Sequence, residues 1–174
     1  MLLTIQQEYI LEVLNRVGCI RTEQLTRLVR WKFEIGTTDA AHRITQASLQ
    51  QLRHCLSALR LEQEVVFYAG RGIDHDRLEA VQVMLELGGE HLFDFAAATP
   101  PVLLRFVVEQ SKLTAFAVAQ NSRSFLSPHF FPEEKVIILL SKKDRPTPYP
   151  IENTQIFAIK QDDGTYRFLT RKVK

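Results

Sequence analysis

The sequence predicts an α+β protein of 174 residues. Helical segments fill the first third of the chain, and a β-rich run from Val65 to Tyr68 follows them at once. A further helix, from Arg77 to Leu87, is followed by apolar residues at the spacing of strands. This order predicts an N-terminal winged helix-turn-helix at residues 1–72 and a small mixed α/β domain with a central sheet at residues 76–174.

Capping and turn residues define three helices in the first of these domains. The first helix runs from about Thr4 to Val17, and Gly18 can end it. Thr22 is a good N-cap for a second helix that reaches about Arg30, and residues 36–39 mark a turn. The third helix is long, roughly from Thr45 to Glu62. It places leucines on one side: Leu49, Leu52, Leu56 and Leu59.

The wing of this domain is predicted to be stunted. Val65 to Tyr68 forms one strand, and residues 69–72 form a turn. Only Ile73 is then available for a return strand before Asp74. We therefore expect little contact with DNA through the wing.

The second domain begins with a helix that Asp76 is expected to cap. Its strands are predicted as one hairpin, one fully apolar and hence central strand, and one closing hairpin. In chain order these strands cover residues 102–108 and 114–119, then 136–140, then 154–159 and 166–169.

Composition sets wide limits on function. The apolar fraction of 45%, the charged fraction of 24% and the net charge of +2 are ordinary for a globular protein. Between Arg21 and Leu61, however, seven Lys or Arg and three acids give a local net charge of +4. Cys19 and Cys55 suit buried, reduced thiols. The N-terminus lacks the pattern of a signal peptide and no apolar run spans a membrane, so we expect a cytoplasmic protein with no membrane partner.

Three segments carry a resemblance to a known group of proteins. These are Ile20 to Leu25, the leucine-spaced helix Leu49 to Leu61, and Leu78 to Met84. With them, the chain resembles the replication-relaxation type of winged-helix protein from bacterial plasmids and conjugative elements, and the uncharacterised relatives of that type. The resemblance implies a C-terminal domain related to the PD-(D/E)xK nucleases, which have an α-β-β-β-α-β core.

The nuclease chemistry that this fold supports requires an Asp and an (Asp/Glu)-x-Lys on adjacent strands to hold a divalent metal ion. Where the second motif should stand, residues 115–119 read Ala-Phe-Ala-Val-Ala. The nearby candidates Asp94, Glu109 and Lys112 have unsuitable spacing. The histidines are scattered, and no glycine-rich phosphate loop occurs. We therefore predict a degenerate nuclease domain with no catalytic residues, no metal and no cofactor.

The polar side of the long helix is the predicted DNA-binding surface. Its side chains are able to reach base edges and phosphates. They are Arg43, Gln46, Gln50, Arg53 and His54. Three cations at the end of the preceding helix are expected to contact phosphates: Arg27, Arg30 and Lys32.

These observations predict a non-catalytic DNA-binding accessory or regulatory protein of a mobile genetic element, acting in replication, transfer or control of transcription. Its expected partners are double-stranded DNA and either a second copy of the chain or another protein of the element. The aromatic residues Phe125, Phe130 and Phe131 suit either the core or such a dimer interface. One alternative is a protein-interaction module whose winged helix no longer binds DNA. A third is a metal-dependent nuclease.

Overall fold

A computed structural model describes residues 2–121, 129–146 and 148–171. The chain folds as two compact units, Met1–Val81 and Gln82–Lys174. Within the described residues there are four α-helices and two sheets, one of three strands and one of six. The prediction of a mixed α+β fold with a central sheet is therefore confirmed.

The first unit contains three helices and a small antiparallel sheet. Its elements in chain order are α1 (Ile5–Val17), β1 (Cys19–Arg21), α2 (Thr22–Lys32), α3 (Thr38–Cys55), β2 (Leu59–Glu62) and β3 (Val65–Tyr68). At the start of α1, Thr4 Oγ1 accepts a hydrogen bond from Gln7 N (3.2 Å), and Gln7 Oε1 accepts one from Thr4 N (3.0 Å). This reciprocal cap fixes where α1 begins. Gly18, at φ 84°, ends it.

Helix α3 begins and ends earlier than the sequence predicts. The Thr37 side chain caps it, since Thr37 Oγ1 accepts a hydrogen bond from Ala40 N (3.2 Å). The predicted span from Thr45 to Glu62 is wrong at its C-terminal end because residues 59–62 pair with β3. Leu59 is therefore a buried strand residue rather than part of the helix.

The small sheet has the strand order β1-β3-β2, and both pairs are antiparallel. The sequence predicts a stunted or distorted wing because only Ile73 is available for a return strand after β3; instead, the antiparallel partner of β3 is β2, which precedes it in the chain. Gln63 and Glu64 form the turn of this β2–β3 hairpin, with φ values of 48° and 62°. Both residues are in the left-handed region that favours glycine or asparagine.

Helix α4 (His75–Gly88) connects the two units, and the division between them falls within it, between Val81 and Gln82. Its start differs from the prediction: Asp74 Oδ1, rather than Asp76, accepts a hydrogen bond from Arg77 N (3.0 Å). In the first unit, Leu78 packs in a cluster with three buried residues of the small sheet. These are Cys19, Val65 and Phe67.

The second unit is built on the six-stranded sheet. After a short 3-10 turn (Gly89–His91), its strands are β4 (Leu92–Ala97), β5 (Val102–Glu109), β6 (Leu113–Gln120), β7 (Lys135–Leu140), β8 (Gln155–Lys160) and β9 (Tyr166–Arg171). They lie side by side in chain order. The β6–β7 and β7–β8 pairs are parallel, and the other three are antiparallel.

This sheet confirms both predicted hairpins and the predicted apolar strand in its interior. Three consecutive residues of β7 are completely buried: Val136, Ile137 and Ile138. A strand buried on both faces needs cover on both. On one face, Phe130, Tyr149 and Ile151 pack against the residues of β7. Phe125, which the sequence grouped with Phe130, lies outside the described residues.

Two further predictions concern the cysteines and membrane-spanning segments. Cys19 is buried as predicted, but Cys55 is exposed at the end of α3, and both thiols are free. Burial raises the pKa of the Cys19 thiol, which keeps it protonated. Among the described residues, no helix combines the length and the apolar character needed to cross a membrane.

Candidate nucleic-acid interface

The outer side of α3 carries all five side chains that the sequence assigned to this helix. Arg43, Gln50, Arg53 and His54 are exposed, and Gln46 is half-buried. These positions follow one another at intervals of three, four, three and one residues, which places them along one side of a helix. The opposite side packs into the core through Ala41, Thr45, Ser48, Leu49 and Leu52.

We call the five side chains on this outer side the α3 face. Among the described residues, none of the five has a hydrogen bond, an ion pair or a ring contact. The neighbouring Gln51 differs, because its Oε1 accepts a hydrogen bond from Gln7 Nε2 of α1 (2.6 Å). The α3 face therefore presents two guanidinium groups, two amides and an imidazole that are available to a ligand.

Arg30, which the sequence assigned to phosphate contact, stabilises the connection between α2 and α3. Its Nε donates to the Ile35 carbonyl (3.3 Å), and its Nη1 donates to Thr38 Oγ1 (3.2 Å). Thr38 is the first residue of α3. The guanidinium thus bonds to a backbone carbonyl of the α2–α3 loop and to the first hydroxyl of α3.

Arg27 lies one helical turn before Arg30 and stacks over the Trp31 ring, with Cζ 5.3 Å from the ring centroid. A cleft of about 670 Å³ lies between α2 and the start of α3. Arg27 and Arg30 line it together with His42, but so do the acids Glu23, Asp39 and Glu64. With Arg21, three arginines and three acids line the cleft, so it carries charges of both signs.

Lys32 does not belong to this surface. Its ammonium lies over the Tyr9 ring of α1, with Nζ 5.7 Å from the ring centroid. Tyr9 also packs edge-on against Phe33, at 5.7 Å between centroids. Burial, assisted by the Glu12 carboxylate, raises the pKa of Tyr9 to about 12. Lys32 therefore covers the contact between α1 and α2, whereas Arg27 and Arg30 line the cleft.

The turn of the β2–β3 hairpin adds a feature that sequence reasoning missed. Glu62 and Glu64 are both exposed there. Glu64 also holds the turn against α2: its Oε2 accepts a hydrogen bond from Thr22 Oγ1 (2.7 Å), and its carbonyl accepts one from Thr22 N (2.8 Å). Sequence reasoning placed this acidic segment at the end of the helix, so its position in a hairpin turn could not be foreseen.

Two further residues of α3 were not singled out from the sequence. His42 and Ala47 are exposed. His42 precedes Gln46 by four residues, and Ala47 precedes Gln50 by three, so both lie on the same side of the helix as these glutamines. The helical spacing from Gln46 and Gln50 was the signal that could have identified them.

In the second unit, the residues considered for nuclease chemistry lie on the surface of neighbouring strands and of the turn between them. Asp94 is exposed on β4, Glu109 at the end of β5 and Lys112 in the turn before β6. Within the part of the chain that the structure describes, no three His, Cys, Asp or Glu side chains come together as metal ligands. The buried acid here is Glu134, whose side chain is 2% exposed and forms an ion pair with Arg105 Nε (3.0 Å).

Both members of this ion pair also form hydrogen bonds with backbone groups. The second carboxylate oxygen of Glu134 accepts a hydrogen bond from Phe131 N (3.2 Å), and Arg105 Nη2 donates to the His129 carbonyl (2.7 Å). The pair therefore attaches residues 129–134 to strand β5.

Comparisons of the whole chain with known proteins add nothing to this description, since no family model, no curated protein and no solved structure matches it.

Proposed function

We propose that the first unit is a winged helix-turn-helix domain that binds double-stranded DNA through α3. Three helices, a three-stranded antiparallel sheet and the β2–β3 hairpin follow one another in the order that such a domain requires. Helix α3 would be the recognition helix, and the hairpin would be the wing. The α3 face would lie in the major groove.

One observation carries this proposal: among the described residues, the polar groups of the α3 face have no hydrogen-bond or ion-pair partner. Acids three or four residues away on a helix can pair with its cations. On α3, instead, Arg43 and Arg53 stand at either end of Gln46 and Gln50 with no acid between them. Guanidinium and amide groups are the donors that contact phosphates and base edges in DNA.

The wider role we propose is that of a non-catalytic accessory or regulatory protein of a mobile genetic element, in replication, transfer or transcription control. Its support is the sequence resemblance, together with the order of elements in the second unit. There, α4, the β4–β6 meander and the parallel strand β7 follow in the order of that core's first helix and its strands. The place of its second helix, between β6 and β7, includes residues 122–128, which lie outside the described residues. Such a unit would bind a second copy of the chain or another protein of the element.

The direct test is a titration of the purified full chain into a labelled pool of random-sequence duplexes. It is run at about 50 mM and at about 200 mM salt, with a sample that contains Mg²⁺ alongside. We expect saturable binding that weakens as salt rises, because cations on the protein displace counterions from phosphates. We expect no cleavage in the Mg²⁺ sample. Cleavage there would favour the metal-dependent nuclease instead.

A second candidate function is a protein-interaction module that no longer binds DNA. The observation that favours it is the acidic hairpin turn, because exposed Glu62 and Glu64 would repel phosphates if the turn approached the DNA backbone. Absence of duplex binding at low salt would support this candidate. The partner would then be sought by affinity capture with the wild-type chain, with an Arg43→Ala/Arg53→Ala variant as control.

A further inference from the structure

We infer that the α3 face recognises a short duplex sequence in which two adjacent A·T pairs are flanked on each side by a G·C pair. This inference rests on the proposed DNA binding and deepens it, since it names the bases that the site selects. It follows from the order, the spacing and the chemistry of four side chains: Arg43, Gln46, Gln50 and Arg53.

The spacing of the two amides matches the spacing of base pairs. An α-helix rises about 1.5 Å per residue, so Gln46 and Gln50 lie about 6 Å apart along the axis. The major groove runs obliquely around the DNA axis, so side chains three or four residues apart on a helix in the groove meet successive base pairs. The two glutamines therefore reach adjacent base pairs.

The two arginines bracket the amides at matching intervals. Arg43 precedes Gln46 by three residues, and Arg53 follows Gln50 by three. By the same rule, Arg43 and Arg53 meet the base pairs on either side of the two that the glutamines contact. The sequence of functional groups read along the groove is thus guanidinium, amide, amide, guanidinium.

Base chemistry then assigns a preferred base pair to each position. A glutamine amide donates to adenine N7 and accepts from the adenine N6 amino group, and no other base presents this pair of groups in the major groove. A guanidinium donates to both O6 and N7 of guanine. The exposed methyl of Ala47, between the two glutamines, suits contact with the C5 methyl of thymine.

The fold limits where this contact can begin and leaves the four side chains available to the bases. Asp39 is exposed in the first turn of α3, on the same side as Arg43 and Gln46. Its carboxylate would repel backbone phosphates, so the first turn of α3 should stay outside the contact. The absence of internal hydrogen bonds to the four side chains, among the described residues, leaves their donors and acceptors available for base edges.

The test has two stages, both using the full chain. First, duplexes that bind wild-type protein are selected from a random pool, and the enriched sequence is determined. We expect two adjacent A·T positions, with G·C pairs outside them. Second, 7-deazaadenine replaces adenine at those two positions, which removes only the N7 acceptor. We expect wild-type affinity to fall about tenfold, the loss typical of one bidentate base contact.

Variants connect this preference to the two glutamines. A Gln46→Ala/Gln50→Ala protein should bind the adenine and 7-deazaadenine duplexes with equal affinity. Gln51→Ala is the matched control, since it removes an amide from the same helix that already accepts a hydrogen bond from Gln7. It should keep the wild-type discrimination.

The failures of the two proposals are distinguishable. Duplex binding without the A·T preference, or with a preference that survives loss of both glutamines, would overturn this inference and leave the proposed DNA binding intact. Absence of any duplex binding would overturn both.

Discussion

Helices α2 and α3 carry the same kinds of cation but differ in what those cations do. On α2, Arg30 bonds to the α2–α3 connection, Arg27 stacks on Trp31, and Lys32 lies over Tyr9. On α3, neither Arg43 nor Arg53 has such a partner among the described residues. The comparison teaches that a cation predicted to contact DNA from its residue type can instead be part of the protein's own packing.

The position of each cation in the fold accounts for this difference. Arg30 stands at the end of a helix, where loop carbonyls lack helical partners and accept hydrogen bonds from side chains. Lys32 follows it and reaches the aromatic ring of another helix. Arg43 lies on the exposed side of α3, away from its ends. Arg53 is in the last turn of its helix, as Arg30 is, so the helix end alone does not account for the difference. Arg30 differs because the connection to α3 brings the Ile35 carbonyl and Thr38 Oγ1 within its reach.

The largest effect that this comparison predicts is on duplex affinity. Replacing Arg43 and Arg53 together by alanine should weaken binding about a hundredfold and reduce the salt dependence by roughly two counterions, since each side chain contacts a base or a phosphate. Fluorescence anisotropy at several salt concentrations measures both quantities. The matched control is Arg27→Ala/Lys32→Ala, which removes the same charge from α2. An equal loss in the control would break the comparison.

An intermediate effect is expected on stability, from Arg30→Ala. Loss of the hydrogen bonds to Ile35 and Thr38 should lower the free energy of unfolding by about 1–2 kcal/mol, because a charged donor leaves the α2–α3 connection. Urea denaturation measures the change. Arg43→Ala serves as the control and should lie within about 0.5 kcal/mol of wild type, as an exposed substitution without partners does. Wild-type stability in the Arg30 variant would show that these two hydrogen bonds contribute little to the stability of the fold.

The smallest effect is expected from Lys32→Ala. An exposed cation–π contact contributes about 0.5–1 kcal/mol, so stability should fall by no more than that. Duplex affinity should stay within about twofold of wild type, because Lys32 lies apart from the α3 face. Thermal unfolding and the anisotropy titration test the two statements. A clear loss of affinity with unchanged stability would show that Lys32 belongs to the DNA-binding surface. The contrast between α2 and α3 would then not hold for this residue.

Much of the fold could be predicted because it depends on local patterns. The apolar run of β7 and the two hairpins that include β5, β6, β8 and β9 were recognised from residue spacing and turn residues. The limits of α3 were not, because apolar residues at Leu56 and Leu59 continue a helical pattern into a strand. Pairing of residues 59–62 with β3 ends that pattern, and the pairing depends on residues that come later in the chain.

The candidate site divides in the same way. The sequence by itself determined the α3 face, since spacings of three and four residues place Arg43, Gln46, Gln50 and Arg53 along one side of a helix. Only the tertiary structure decided which predicted cations stay available and where the acids of the hairpin turn lie. Whether a cation is available to a ligand depends on the groups that folding brings close to it, such as the Tyr9 ring beneath Lys32. The spacing of residues along the chain does not predict such a contact.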